Sequence, residues 1–220
     1  MMMNTIRHHP DDAMLLAHAS GHMEAGTSLV LASHLELCES CRERRRELDA
    51  LGGLMLDTLE PAALAADALA RTLAHIDAGT PSPPARRIDT PPPLPLGAEW
   101  PAALAHCSAT RWRWIAPGMR WSRVTVPESP RANVFLLRIA AGRYLPQHSH
   151  HGLELTQVLY GRFHDGRALY GPGDFDLADG EIRHQPVVQD GSECICLTAV
   201  DGRLCFEGVM ARLFGVLAEV

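Results

Sequence analysis

Seven prolines fall between residues 80 and 98, and the apolar residues on either side of them repeat with different periods. A stretch this rich in proline and this poor in core-forming side chains stays semi-extended. The chain therefore divides into residues 1–79, a linker over 80–98, and residues 99–220.

Before the linker, apolar residues follow helical spacing. Asp11 or Asp12 caps a first short helix through Met14, Leu15 and Leu16, which Gly21 and Gly26 interrupt. A second helix carries Leu29, Val30, Leu31, Leu35 and Leu37, and a third Leu48, Leu51, Leu54 and Leu56. Pro61 breaks the pattern. A fourth helix over 62–76 has Leu64, Leu69 and Leu73 as its apolar stripe, and Gly79 ends it. After the linker come short alternating segments at 120–126, 132–139, 153–160, 182–188 and 194–199, divided by Gly, Pro and Asp. That texture belongs to a β-sandwich or β-barrel.

Charge narrows the possible partners. The formal net charge is -6, and the basic residues are all arginine. The first sixty residues carry five Arg against ten Asp and Glu. Phosphate neutralisation needs the opposite balance, so direct nucleic-acid binding is not expected. The basic run Arg42-Glu43-Arg44-Arg45-Arg46 reads as a solvated helix face. No signal-peptide core and no apolar stretch of bilayer length is present, so neither export nor membrane association is expected. In a reducing cytoplasm the six cysteines are metal ligands, reactive thiols or small core residues rather than disulfides.

Two constellations carry chemistry. In His34-Leu35-Glu36-Leu37-Cys38-Glu39-Ser40-Cys41, steps of four and three residues keep three donors on one side of a helical segment. Zinc takes four such N and S ligands in a closed tetrahedral site. The fourth comes from His8, His9, His18 or His22. We favour His9, which would anchor the N-terminus, with His8 as its competitor. A helical unit of this size also needs a structural metal to supplement its small core.

The second set is His148, His150, Glu154 and His184. The first three share parity, so on an extended strand they face one way, into the barrel, while Leu153, Leu155 and Leu159 face the other. Three imidazoles and a carboxylate suit a divalent transition metal. Facing one another in a dry interior without an ion, they would be costly. His151 and His164 fit neither parity nor position and read as exposed.

The segment 142–161 matches the first cupin motif, G-x5-H-x-H-x3-E-x6-G, at every defining position. The second cupin motif keeps Gly173-Asp174 and His184, with Gly180 displaced by one residue and the usual Pro and Asn absent. Together with Arg7-His8-His9, the His34/Cys38/Cys41 helix, Gly152-Leu153-Glu154-Leu155-Thr156 and Cys194-Ile195-Cys196-Leu197, this resembles the ChrR family of zinc-dependent anti-sigma factors. The resemblance implies a small zinc-binding helical anti-sigma domain followed by a cupin (jelly-roll) β-barrel. It implies a non-enzymatic regulator that sequesters an extracytoplasmic-function sigma factor and releases it under singlet-oxygen or peroxide-type oxidative stress. It assigns His9, His34, Cys38 and Cys41 to the first zinc. It assigns His148, His150, Glu154 and His184 to a second divalent metal, zinc first, with Fe or Mn also compatible.

The fourth helix is a candidate docking element for a partner, with packing on the helical bundle as the plain counter-reading. Cys194 and Cys196 share a strand face and read as core thiols, and Cys107 and Cys205 carry no signal. The alternative function is a cupin metal-dependent dioxygenase with an accessory zinc domain, since the same ligand set on an open metal supports O₂ chemistry.

Overall fold

The computed structural model describes residues 6–79 and 92–206. Most of the expected linker, 80–91, and the tail 207–220 lie outside the described residues. Four helices come first: α1 (Asp12–Ala19), α2 (Ala25–Leu37), α3 (Glu39–Asp57) and α4 (Ala68–Asp77). After a 3-10 turn at Ala102–Leu104 come β1 (Ser108–Ala109), β2 (Arg113–Ala116), β3 (Met119–Val126), β4 (Ser129–Ile139) and β5 (His148–Tyr160). Then follow β6 (Phe163–His164), β7 (Leu169–Tyr170), β8 (Phe175–Ala178), β9 (Val187–Val188) and β10 (Cys194–Phe206). The larger sheet runs β1-β3-β4-β10-β5-β8, with β2 paired to β3, and the smaller runs β7-β6-β9. This is the expected combination of helical segment and cupin barrel.

The helices start where their caps permit. The Asp11 carboxylate accepts the Met14 amide at 2.8 Å, so α1 begins at Asp12. Gly26 was expected to interrupt a helix, but it lies inside α2. A Cβ there would sit 2.9 Å from Val134 Cγ2, so the missing side chain lets the helix settle on β4 and β10. The fourth helix begins at Ala68 rather than Ala62. Its upstream alanines bury nothing. The expected strand over 182–188 shrinks to Val187–Val188 plus one bridge between His148 and His184. Pro186 has no amide to donate to a ladder.

The basic run is more than a solvated face. Arg42 Nη1 donates to the Leu35 and Glu36 carbonyls at 2.8 Å, closing the end of α2. Arg44 grips Asp12 with two hydrogen bonds, of 2.9 and 2.6 Å, joining α3 to α1.

The two halves share one core. Strand β5 alternates as its sequence demands: His148, His150, Thr156 and Val158 point into the barrel, and Leu155, Gln157 and Leu159 point outward. The outward face is covered by α2, whose Val30, Leu31 and Leu35 pack in one cluster with Val134, Leu136, Leu155, Leu197 and Ala199. Polar groups key this contact. Ser33 Oγ bonds the Gln157 carboxamide oxygen, and Gln157 Nε2 donates back to the Ser33 carbonyl at 3.2 Å. The Glu36 carboxylate accepts the Ala102 amide at 2.8 Å and that of Ala103. The end of the proline-rich stretch joins in: Trp112 Nε1 donates to the Pro93 carbonyl at 3.2 Å, and Leu94 packs against the same cluster.

Leu31 and Leu155 are fully buried in this shared core. Leu31→Ala is expected to cost about 2–5 kcal/mol. Because all four tryptophans lie in the barrel half, urea titrations followed by far-UV helix signal and by tryptophan fluorescence should shift together. A shift in the helix signal alone would mean the halves unfold independently.

Candidate metal centres

The first cluster forms where α2 hands over to α3. His34 lies in the last turn of α2, Cys41 lies in the first turn of α3, and Cys38 stands between them in an extended conformation (φ -100°, ψ 106°). That single extended residue turns the chain so that both thiols face His34. The fourth donor is His9. Its Nδ1 lies 3.3 Å from each sulfur, and His34 Nε2 lies 3.4 Å from the Cys41 sulfur. Bonds of 2.0–2.3 Å in a tetrahedron separate N and S ligands by about 3.5 Å, so the spacing fits one zinc-sized ion. His8 points elsewhere, with its ring 4.6 Å from that of Tyr170. His22 bonds Ser20, and His18 lies near Arg45 and Asp49.

The donors are electrically suited to a cation. Burial pushes His34 down to about 4, so its Nε2 offers a lone pair at neutral pH. Burial, and then the neighbouring Cys38, push the Cys41 thiol up to about 12. A thiolate there needs a positive partner.

This cluster is built on the barrel. His34 Nδ1 donates to the Gly173 carbonyl at 2.9 Å, which fixes the tautomer whose Nε2 faces the sulfurs. Gly173 has φ +89°, and a Cβ would sit 2.8 Å from Ile6. No other residue could occupy that turn without displacing the N-terminal segment. The Asp174 carboxylate accepts the Arg7 and His8 amides at 2.6 and 3.1 Å, and the Phe175 amide donates to the His8 carbonyl at 3.1 Å. His9 is thereby held in place by the barrel. Sequence reading singled out Gly173-Asp174 only as part of a barrel motif and missed this role; the outward parity of Gly173 and Phe175 was the available signal.

The second cluster lies inside the barrel. His148 and His150 come from β5, and their neighbour Glu154 sits one turn of the pleat further along the same face. His184 is placed by mutual backbone bonds with His148, each 3.1 Å. His184 Nε2 lies 3.0 Å from His148 Nε2 and 3.3 Å from His150 Nε2. Glu154 Oε2 is 3.2 Å from His150 Nδ1 and 3.7 Å from His148 Nε2. Tetrahedral ligands at 2.0–2.1 Å stand about 3.3 Å apart, and these donors bracket that spacing. Burial opposes charge on Glu154, yet His148 and the other imidazoles hold its carboxyl down to about 2. His148 Nδ1 is committed to the Pro146 carbonyl at 2.8 Å. His151 and His164 are exposed, as their parity implied.

Beside this cluster is a cavity of about 30 Å³ lined by Glu154, His184, Cys194 and Cys196 among apolar side chains. Cys194 and Cys196 are buried, with sulfurs 3.7 Å apart, and none of the six cysteines forms a disulfide. Asp165, Arg167 and Asp176, which the sequence reading did not single out, close the far side of His184.

Residues 101–201 match the family described as the ChrR cupin-like domain. Across 210 residues the chain is 41% identical to the anti-sigma-E factor ChrR of Cereibacter sphaeroides, covering 95% of this chain and 96% of that one. The chain belongs to the ChrR family. Its fold also superposes on the crystal structure of Rhodobacter sphaeroides SigE in complex with the anti-sigma ChrR, with a TM-score of 0.70 and 38% identity over 90% of this chain and 100% of that one. No helix among the described residues is long and apolar enough to cross a membrane.

For a ChrR-family chain with these two clusters, metal analysis of purified protein is expected to find two divalent ions per chain. Cys38→Ser with Cys41→Ser should leave one, and His148→Ala with His150→Ala should leave the other. Two ions surviving either pair of substitutions would place the metals elsewhere.

Proposed function

We propose that this chain is a cytoplasmic anti-sigma regulator. Its helical half captures an extracytoplasmic-function sigma factor, and its metal-binding barrel is needed for release under oxidative stress. The observation that carries the reading is an unpartnered apolar arm. Leu54, Met55, Leu56 and Leu59 at the end of α3, and Leu69, Leu73 and Ile76 on α4, are each more than half exposed. Helix α4 buries no residue at all. A ten-residue helix in that state is marginal alone, and large apolar side chains left exposed in this number mark an interaction site. A similar chain was crystallised with a sigma factor as its partner.

In this reading His9, His34, Cys38 and Cys41 hold zinc. The ion fixes the angle between α2 and α3, and so the direction in which the apolar arm projects. The barrel set His148, His150, Glu154 and His184 holds a second divalent ion, for which zinc suits the donors and iron or manganese is also accepted. The segment 171–175 joins the two, since its groups orient His34 and the N-terminal segment while Asp176 next to it lines the space beside Glu154 and His184.

The dioxygenase alternative has less support. Small-molecule sites measure about 300–1,000 Å³. The space beside the barrel donors, about 30 Å³, accepts a water or two. A peroxide or dioxygen is of that size, and an organic substrate is not.

Leu69→Asp with Leu73→Asp is expected to weaken sigma-factor binding at least about 30-fold, as loss of hot-spot contacts does, while leaving metal content unchanged. Calorimetry against extracytoplasmic-function sigma factors of the same genome measures this. Undiminished affinity in that variant would remove α4 from the interface, and no affinity in the wild type for any of them would overturn the reading.

A further inference from the structure

The three barrel imidazoles are not aimed in the same way. His148 is fixed by a backbone carbonyl, that of Pro146. His184 instead turns its Nδ1 toward a side chain, with Asp165 Oδ2 at 3.5 Å. That nitrogen is buried, and no polar atom of the described residues meets hydrogen-bond geometry with it, so Asp165 Oδ2 is the acceptor placed to take its proton. The Asp165 side chain is wholly buried and His184 nearly so.

The carboxylate is itself held rigidly. Asp165 Oδ1 accepts the Arg167 and Ala168 amides at 2.9 and 3.0 Å, across the turn between β6 and β7. Arg167 Nε donates to Oδ2 at 2.6 Å. The other arm of the same guanidinium reaches Asp176 Oδ1 at 2.7 Å and the Leu177 carbonyl at 3.0 Å on β8. Asp165, Asp176 and His184 bring donor atoms within 4.8 Å of one another, but a fixed guanidinium already pairs with an oxygen of each carboxylate. They are therefore not a third cation site.

We propose that Asp165 is the positioning residue of the barrel centre. It holds His184 as the Nδ1–H tautomer, with the Nε2 lone pair directed at the point shared with His148, His150 and Glu154. A divalent transition cation is the ligand class this serves. Metal-bound histidines are commonly oriented by a carboxylate on the opposite nitrogen, and losing that partner costs about 10–100-fold in affinity. Arg167 keeps the Asp165 carboxylate turned toward the ring. The inference rests on the barrel donors holding an ion.

The discriminating variant is Asp165→Asn in the full-length protein. Its amide oxygen can still accept the Arg167 and Ala168 amides, so the turn is kept, while an NH₂ group replaces the oxygen that faces His184 and Arg167 Nε. Cobalt(II) and zinc(II) are the probes. The helical cluster gives thiolate-to-cobalt charge-transfer bands, and the nitrogen and oxygen donors of the barrel give only d–d bands, so the centres are read separately. Asp165→Asn is expected to weaken zinc at the barrel centre about 10–100-fold in chelator competition. It should also change the barrel d–d bands and leave the thiolate bands untouched. Wild-type affinity and an unchanged spectrum would reduce Asp165 to a turn residue. If the wild type itself binds only the thiolate-held ion, the barrel reading fails rather than the positioning role. Should Asp165→Asn not fold, long-range ¹H–¹⁵N spectra of zinc-loaded wild type decide the matter. They should show the proton of His184 on Nδ1, and a proton on Nε2 would overturn the proposal.

Discussion

Helix α2 lying flat across the outer face of β4, β10 and β5 is the contact on which everything else depends. It gives the small helical half a core that its own few apolar residues could not provide. Leu31 closes against Leu155 and its neighbours, Ser33 pairs with Gln157, and Gly26 permits the close approach. His34, three residues beyond Leu31, is then delivered to the edge of the barrel, where the Gly173 carbonyl orients it. The His9, His34, Cys38 and Cys41 cluster is therefore a junction between two folds, and its geometry is set partly by a turn of the barrel.

The second consequence concerns how a chemical event inside the barrel can be felt outside it. The turn that leads into β8 sets the Gly173 carbonyl against His34 and the Asp174 carboxylate against the N-terminal segment, and two residues further on Asp176 of β8 pairs with Arg167, which holds Asp165 beside His184. The two clusters sit on the two sides of one short segment. No long pathway is needed, since a small displacement of β8 would act on both donor sets.

Much of this was legible from residues alone. The parity of His148, His150 and Glu154 placed them on one strand face, and Leu155 and Leu159 on the other, because side-chain direction in a strand follows directly from position. His34, Cys38 and Cys41 come together as their spacing suggested, but across an extended Cys38 between two helices rather than along one helical face. His9 could only be preferred to His8, because the choice depends on how Asp174 holds the Arg7 and His8 amides, 167 and 166 residues away in sequence. The same holds for Gly26, a breaker by propensity that tertiary packing turned into a close-contact site. The linker suggested two spatially separate halves, and nothing in local pattern could reveal that the outward face of β5 would be covered by α2. Asp165 and Asp176 were invisible for a related reason: their importance lies in a guanidinium that bridges two strands.

The central claim is that the helical cluster and the barrel cluster are physically coupled through their shared segment. Thermodynamic linkage makes this measurable without any sigma factor. The decisive measurement is the zinc affinity of the helical cluster, by chelator competition, in the wild type with its barrel centre loaded and in His184→Ala with that centre empty. Coupling predicts a difference of about 5–150-fold between the two. Equal affinities, with the fold intact, would contradict it.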